Sequence, residues 1–403
     1  MKHGFLADYF EGFGYKILKP VEINPQVSNE HEFNGIDSFK KILGSGKQYL
    51  DCRVIYLSDY EDDIVEDAVT LTWYNAREND PDRNEYRLYY PDSDCFLKAK
   101  SEDLMVLCKN TNTVYSALTM FISKAGDTIS NQLLWLFGIS AKSMTTSGRT
   151  EKVNTEKSLN YFSNLILSKI GIMPKEQDDS LLDKVLKKFP DGFPKTVDFS
   201  EFARSFISDL LPHDDPDTAL IEYLDYEERL FRVFEKFFVE KKLKAGFNGV
   251  DDFIRFSLSV QNRRKSRAGY SLENHLKFIF DVLAIKYSYN VTTENKSRPD
   301  FIFPSISEYR DNTFPYLKLT MLGVKTTCKD RWRQVLTEAE RIPQKHLCTL
   351  EPSISEFQTN EMISHQLQLV VPAPIVSTYN AKQQTWLMTV SDFISLARKK
   401  QNI

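Results

Sequence analysis

Asp300 opens a short apolar run, Phe301-Ile302-Phe303, and Lys325 closes another, Tyr316 to Val324. The 25-residue separation suits two neighbouring strands joined by the loop Ser305 to Pro315, which brings a carboxylate and an ammonium to adjacent strand ends. Glu338 stands 13 residues after Lys325. On a helix that starts near Asp330, the residues Asp330, Gln334 and Glu338 share one face, and Glu338 points back at the strand ends. Glu273, near the start of a helix expected from Ser271, is a fourth candidate. A carboxylate, a lysine and a further carboxylate so placed suit metal-assisted phosphodiester hydrolysis. An ionised Asp can hold Mg²⁺, which favours carboxylates, phosphate oxygens and retained waters. The lysine can stabilise the charge of the pentavalent phosphorane or help deprotonate the attacking water. Singly, each of these residues reads as a strand-edge or helix-surface charge; the combination is what points to chemistry.

Two further charged stretches flank this set. Asn262-Arg263-Arg264-Lys265-Ser266-Arg267-Ala268-Gly269 places four basic residues within five positions, at an expected helix junction. It reads either as a solvated charge run or as a phosphate-binding patch. Lys329-Asp330-Arg331 closely follows Lys325. Arg and Lys can donate to guanine O6 and N7, and a carboxylate can accept from cytosine N4, so this run could read adjacent G·C pairs. As a charged helix start it would do nothing of the kind. Trp332 reads as packing.

The rest of the chain sets bounds. With 403 residues, 41% hydrophobic and 13% aromatic, it has material for two domains with real cores. No apolar window reaches membrane-spanning length, and Met1-Lys2-His3-Gly4-Phe5 does not resemble a signal peptide. Five scattered cysteines with no CxxC pair argue against a zinc site or a disulfide framework and suit the cytoplasm. A net charge of −4 leaves nucleic acid open as a partner, because the electrostatic footprint is local.

These elements must position the chemistry. Residues 1–140 read as β-rich, with strands at Gln48 to Leu57, Ala68 to Tyr74, Glu85 to Tyr90 and Asp103 to Lys109 in a barrel or sandwich. Phe5 to Phe13 and Val114 to Lys124 are expected as flanking helices. Residues 141–187 form a linker, polar at first and then helical at Ser158 to Ile170 and Ser180 to Phe189. Residues 188–403 begin helical: Phe199, Phe202 and Phe206 recur at helical spacing, and Leu230, Phe231 and Phe234 follow within Tyr226 to Lys242. Asp251 to Val260 and Ser271 to Lys286 are expected as separate helices, with Ser271 as N-cap. Strands at Phe301 to Phe303, Tyr316 to Val324, Leu347 to Leu350 and Leu367 to Val371 then alternate with helices at Arg331 to Arg341 and Ser391 to Lys400. That order implies a small mixed sheet with helices on its faces.

Three segments resemble the C-terminal catalytic domain of the EcoRII restriction endonuclease family. They are Ser259 to Gly269, Arg298-Pro299-Asp300-Phe301-Ile302-Phe303-Pro304-Ser305, and Val324-Lys325-Thr326-Thr327-Cys328-Lys329-Asp330-Arg331-Trp332-Arg333-Gln334. The resemblance runs from about Phe189 to the C-terminus. It implies an α/β PD-(D/E)XK nuclease fold and a type II site-specific deoxyribonuclease that cuts both strands with Mg²⁺ as cofactor. In its terms Asp300 and Glu338 bind the metal, Lys325 is the catalytic lysine and Glu273 completes the centre. Arg263, Arg264 and Arg267 would contact DNA, and Lys329, Asp330 and Arg331 would read the C·G pairs of a CC…GG site, CCWGG in the family's reference case. Trp73-Tyr74-Asn75-Ala76-Arg77 and Arg83-Asn84-Glu85-Tyr86-Arg87 resemble the family's effector domain, a DNA-binding pseudobarrel that regulates cleavage, with Arg77, Arg83, Glu85 and Arg87 as contacts. The implied partners are double-stranded DNA, a second copy of the chain and a cognate DNA methyltransferase. Two other readings stay open: a nuclease whose N-terminal domain selects methylated DNA, and a DNA-binding regulator without catalysis.

Overall fold

The computed structural model describes residues 4–402 apart from 81, 115, 140–157, 175–179, 208–209 and 329–330. Two compact units divide the chain: Met1–Lys175 with Ser353–Phe357, and Glu176–Pro352 with Gln358–Ile403. The division falls inside the 141–187 segment. Among the described residues, no helix is long and apolar enough to cross a membrane.

In the first unit, seven strands among the described residues form one sheet: β1 (Phe10–Ile17), β2 (Glu32–Asn34), β3 (Gln48–Leu57), β4 (Val65–Asn75), β5 (Tyr86–Tyr89), β6 (Leu104–Asn110) and β7 (Leu118–Ser123). Their order is β1-β6-β7-β3-β4-β5-β2, and β3 and β7 run parallel. Successive side chains alternate across the sheet. Val54, Tyr56, Leu107 and Met120 therefore enter one apolar core, while Ile55, Leu57, Val106 and Phe121 enter a second. Helix α1 (Asp37–Leu43) packs into the first core. Helices α2 (Thr128–Phe137) and α3 (Tyr161–Lys169) close the second with Ile129, Leu133, Leu136, Ile166 and Leu167.

Burial on both faces explains one difference from expectation. Val114 to Lys124 holds a strand, not a helix, because all six residues of β7 are buried. A doubly buried strand carries no two-residue alternation to mark it. Phe5 to Phe13 is also not helical: a 3₁₀ turn, Leu6–Asp8, leads into β1. Gly12 and Gly14 sit where β1 meets α1, and a Cβ on Gly14 would come within 2.6 Å of the Ser38 Oγ. The glycines serve this close approach and weaken a helix there.

The second unit begins with four helices, α4 (Ser180–Lys188), α5 (Thr196–Arg204), α6 (Pro216–Ala245) and α7 (Val250–Val282). The phenylalanine pattern is their shared core: Phe199, Phe231 and Phe234 pack with Leu181, Val185 and Leu230. Asp215 caps α6 by accepting from Thr218 N at 3.0 Å, and Pro216 follows at the first helical position. The two helices expected within α7 are one element of 33 residues, about 50 Å long. The basic run between them consists mostly of good helix formers and carries the helix through. Ser271 is consequently a buried mid-helix residue and caps nothing.

A mixed six-stranded sheet follows among the described residues, in the order β13-β12-β11-β10-β9-β8. Its strands are β8 (Ser288–Tyr289), β9 (Phe301–Phe303), β10 (Thr320–Lys325), β11 (Lys345–Thr349), β12 (Leu367–Val371) and β13 (Met388–Thr389). β8, β9 and β10 pair antiparallel, and β10 to β13 pair parallel. Phe280 meets Phe301 and Phe303 edge-on at 5.3 Å each, which fastens the C-terminal end of α7 to β9. Glu273 lies two turns before Phe280, so both look toward β9. Between Arg331 and Arg341 only a short helix forms, α8 (Trp332–Val335), with turns after it. Trp332 is buried as packing. Helix α9 (Val390–Gln401) closes the unit. Buried Asp217 accepts from Val390 N at 3.0 Å and Ser391 N at 2.9 Å, which satisfies donors that α9's first turn leaves free.

Candidate active site

Asp300 and Lys325 meet because their strands pair. Phe301 stands opposite Leu322 in the antiparallel β9–β10 ladder, so the residue before β9 lies beside the end of β10. Val324 N donates to the Asp300 Oδ2 at 2.6 Å, and Lys325 Nζ donates to the same oxygen at 3.1 Å. Glu273 reaches this corner from α7. Tyr289 Oη, on β8, donates to its Oε2 at 2.5 Å. Burial raises the Glu273 pKa and the charge of Asp300 adds to the rise, against the Tyr289 bond and the Lys325 and Lys277 charges.

Glu338 arrives by a route the helical spacing did not foresee. It is not on a helix: α8 ends at Val335, and Glu338 lies in the turn after it, where its N–H donates to Val335 O at 3.2 Å. Ala339, next in the chain, has φ +49, a left-handed backbone that ends any helix. The turn comes close to β10 because residue 323 is glycine: a Cβ there would lie 2.8 Å from the Val335 Cγ2. Burial pushes the Glu338 carboxyl up to about 7. Lys325 and Lys345 pull it down, and Asp300 pushes it up. Its Oε2 is buried without a hydrogen-bond partner.

That oxygen bears on metal binding. Among the described residues, no group of three or more His, Cys, Asp or Glu gathers as a metal cage. Asp300 and Glu338 supply two carboxylates within electrostatic reach of each other. Mg²⁺ commonly takes one or two carboxylates and completes its shell with waters and phosphate oxygens. An unpartnered buried carboxylate oxygen within electrostatic reach of Asp300 is a donor that such a cation takes.

A cleft of about 260 Å³ opens at the Glu273 and Lys325 side of this corner, lined by Lys265, Ser266, Gly269, Tyr270, Glu273 and, from β10 onward, Val324, Lys325, Thr326 and Arg331; Asp300 and Glu338 are not among its lining residues. Arg331 thus stands on the cleft wall, whereas Lys329 and Asp330 lie outside the described residues. Cys328 N donates to the buried Glu351 Oε2 at 2.5 Å, which anchors the backbone leading to Arg331.

The basic run does not face the cleft as one patch. Arg264 Nε bonds Glu235 Oε2 at 2.6 Å. Arg267 is buried, 3.4 Å from Glu227 and bonded to Glu228, with its guanidinium over the Phe231 ring. Arg263 lies over the Phe193 ring at 4.3 Å. These three side chains are engaged on helix packing, and Lys265 and Ser266 are the members of the run that line the cleft. The same packing sets the rotation of α7. His275, fully buried, has its Nδ1 3.1 Å from Arg204 Nη1 and its Nε2 3.0 Å from Glu227 Oε2. A guanidinium only donates, so Nδ1 accepts and Nε2 carries the proton toward Glu227. Burial holds the His275 pKa low, in keeping with a neutral ring.

In the first unit, Arg77, Glu85 and Arg87 cluster on the β4–β5 hairpin. Arg77 Nε bonds Glu85 at 3.2 Å and Arg87 bonds its other oxygen; Arg83 is exposed on the same hairpin. The Arg77 hydrogen bond, with Arg87's charge, keeps the Glu85 carboxyl low. Sequence reasoning missed Tyr289, Tyr270, Lys277 and Lys345. Tyr289 sits on a two-residue strand, too short to leave a periodic signal.

Residues 231–394 match the family model described as EcoRII C terminal. Type II restriction enzyme EcoRII of Escherichia coli is 41% identical over 205 residues, 50% of this chain and 50% of that one. Type II restriction enzyme SsoII of Shigella sonnei is 27% identical over 210 residues, 46% of this chain and 63% of that one. The chain thus spans about half the length of the first of these relatives. Among solved structures, metal-depleted Ecl18kI in complex with uncleaved DNA aligns over 55% of this chain and 84% of its own, with 20% identity and a TM-score of 0.46. A PspGI–substrate DNA complex aligns over 52% and 94%, with 16% identity and a TM-score of 0.43. Residues 231–394 are thus similar to the EcoRII C terminal, a likeness that leaves the rest of the chain uncovered by that family model.

Proposed function

We propose that the chain is a type II restriction endonuclease that makes Mg²⁺-dependent double-strand cuts at a CC…GG-type, CCWGG-like site. Residues 188–403 are its PD-(D/E)XK catalytic domain, 1–140 a DNA-binding effector domain that regulates cleavage, and 141–187 the connection. The observation that carries the reading is the corner itself. Asp300 and Lys325 lie in contact at paired strand ends, and Glu338 holds an unpartnered buried carboxylate oxygen within electrostatic reach of both.

In this reading Asp300 and Glu338 hold the metal. When bound, the metal polarises the phosphate and lowers the pKa of the attacking water. Lys325 shares its ammonium between Asp300 and the scissile phosphate, where charge builds up in the transition state. Glu273, steadied by Tyr289, completes the acidic side. Arg331, with Lys329 and Asp330, reads the C·G pairs, and Lys265 and Ser266 border the DNA strand. Arg77, Arg83, Glu85 and Arg87 contact DNA in the effector domain. Cutting both strands of a symmetric site calls for two copies of the centre. Val250, Phe253, Ile254 and Leu258 expose an apolar stripe on α7 that supports pairing as a homodimer. The enzyme would work in the cytoplasm beside a cognate DNA methyltransferase.

Sequencing the ends of genomic DNA digested with Mg²⁺ tests this directly. One short CC…GG-type sequence at every end is expected. Lys325→Ala and Asp300→Ala should abolish cutting while DNA binding is largely kept. A fully active Asp300→Ala variant overturns the proposal.

A further inference from the structure

Lys345, the first residue of β11, is buried, at 7% exposure. Its Nζ donates to the carbonyl oxygens of Ala339 at 3.1 Å and Ile342 at 2.8 Å. Both carbonyls belong to the turn that leaves Glu338, and Ile342 N closes that turn on Ala339 O at 2.9 Å. Ala339 holds a left-handed backbone that alanine adopts only when its surroundings impose it. A lysine has three donors and no acceptor, and here two of them span the turn. The Glu338 Oε2 has no hydrogen-bond partner, while the Glu338 N–H donates to Val335 O at 3.2 Å. The Lys345 charge also acts on the Glu338 carboxyl.

We infer that Lys345 is a positioning residue for the divalent-cation site: it staples the turn Ala339–Ile342 and so fixes the Glu338 carboxylate beside Asp300. The inference rests on the proposed metal role of Asp300 and Glu338. Lys345 touches neither DNA nor cation; it acts through the backbone that carries a ligand. Groups in this supporting role commonly change metal affinity about 10–100-fold when removed.

The test is Mn²⁺ titration of the full chain, with free Mn²⁺ followed by electron paramagnetic resonance, alongside the Mn²⁺ concentration giving half-maximal cleavage. Lys345→Met keeps the length and loses the donors. It should weaken Mn²⁺ binding about tenfold and raise the half-maximal concentration by the same factor, with DNA affinity in EDTA unchanged. Lys345→Arg, which keeps donors, should stay near wild type. In a Glu338→Gln background, Lys345→Met should weaken Mn²⁺ binding no further. A Lys345→Met chain that is less heat-stable yet binds Mn²⁺ like wild type overturns the inference, as does additivity with Glu338→Gln. If Lys345→Met does not fold, Lys345→Gln replaces it, and wild-type Mn²⁺ affinity in that variant overturns the inference equally. Asp300→Ala separates the two levels. If it binds Mn²⁺ as wild type does, the metal-site reading falls; if it loses binding while Lys345→Met keeps it, only the role of Lys345 falls.

Discussion

Glu338→Gln should stabilise the protein in the absence of metal, and only above the acid range. The Glu338 pKa is about 7 in the folded chain, against an ordinary 4.5. The folded state therefore binds this proton more tightly than the unfolded state does. Its contribution to stability is present in full below the unfolded value and is lost as pH rises through the folded one. A tenfold change in proton affinity corresponds to about 1.4 kcal/mol. The two values thus make ionised Glu338 cost the fold roughly 3 kcal/mol at alkaline pH, or about 2 kcal/mol after allowance for its partial exposure. Glutamine keeps the shape and never ionises. Urea denaturation in EDTA, followed at several pH values by tryptophan fluorescence, should show the variant and the wild type almost equal near the ordinary carboxylate pKa. The gap should widen toward neutrality and level off at about 2 kcal/mol above it. Buried Trp332, six residues away, makes fluorescence a local reporter. A gap that does not vary with pH, or a variant less stable than wild type at alkaline pH, refutes the reasoning.

Two further substitutions probe how the corner is built. Gly323→Ala places a Cβ 2.8 Å from one methyl of Val335 and 3.1 Å from the other. It should lower stability by about 1–3 kcal/mol in thermal melts and reduce cleavage more than DNA binding, because α8 and the Glu338 turn are displaced together. Arg331→Ala should lose discrimination against one wrong base pair by about 1–3 kcal/mol, measured as the ratio of cleavage rates on matched and mismatched duplexes. Arg267→Ala should leave that ratio alone and cost about 3–5 kcal/mol of stability, since Glu227 would lose a buried cationic partner.

What the sequence disclosed about the corner was its strands. Asp300 and Lys325 lie at the ends of apolar runs whose pairing brings them into contact, and that much follows from pattern alone. The place of Glu338 does not follow from counting helical turns, because the helix ends at Val335; a left-handed Ala339 and a buried Lys345 shape the turn that carries it, and neither leaves a trace in periodicity. Tyr289 was invisible because its strand is two residues long. In the first unit β3 to β6 are legible, whereas β1, β2 and β7 are not; for β7, burial of all six residues erases the alternation by which a strand is recognised. The break expected within α7 has the opposite cause. A dense run of charge looks like a boundary, yet arginine and lysine are good helix formers.

The course of α7 through residues 263–273 has a consequence for how such a stretch can change. Positions 265, 266, 269, 270 and 273 wall the cleft, while 264, 267 and 275 engage the neighbouring helices, so neighbours in sequence answer to different constraints. A cassette exchange of 263–267 between relatives would alter foundation and working face at once, and its outcome would blend two unrelated effects. Exchanging only 265, 266, 269 and 270 changes the wall and leaves the foundation standing. A library built to retune the cleft should follow the period of the helix, not the boundaries of the motif.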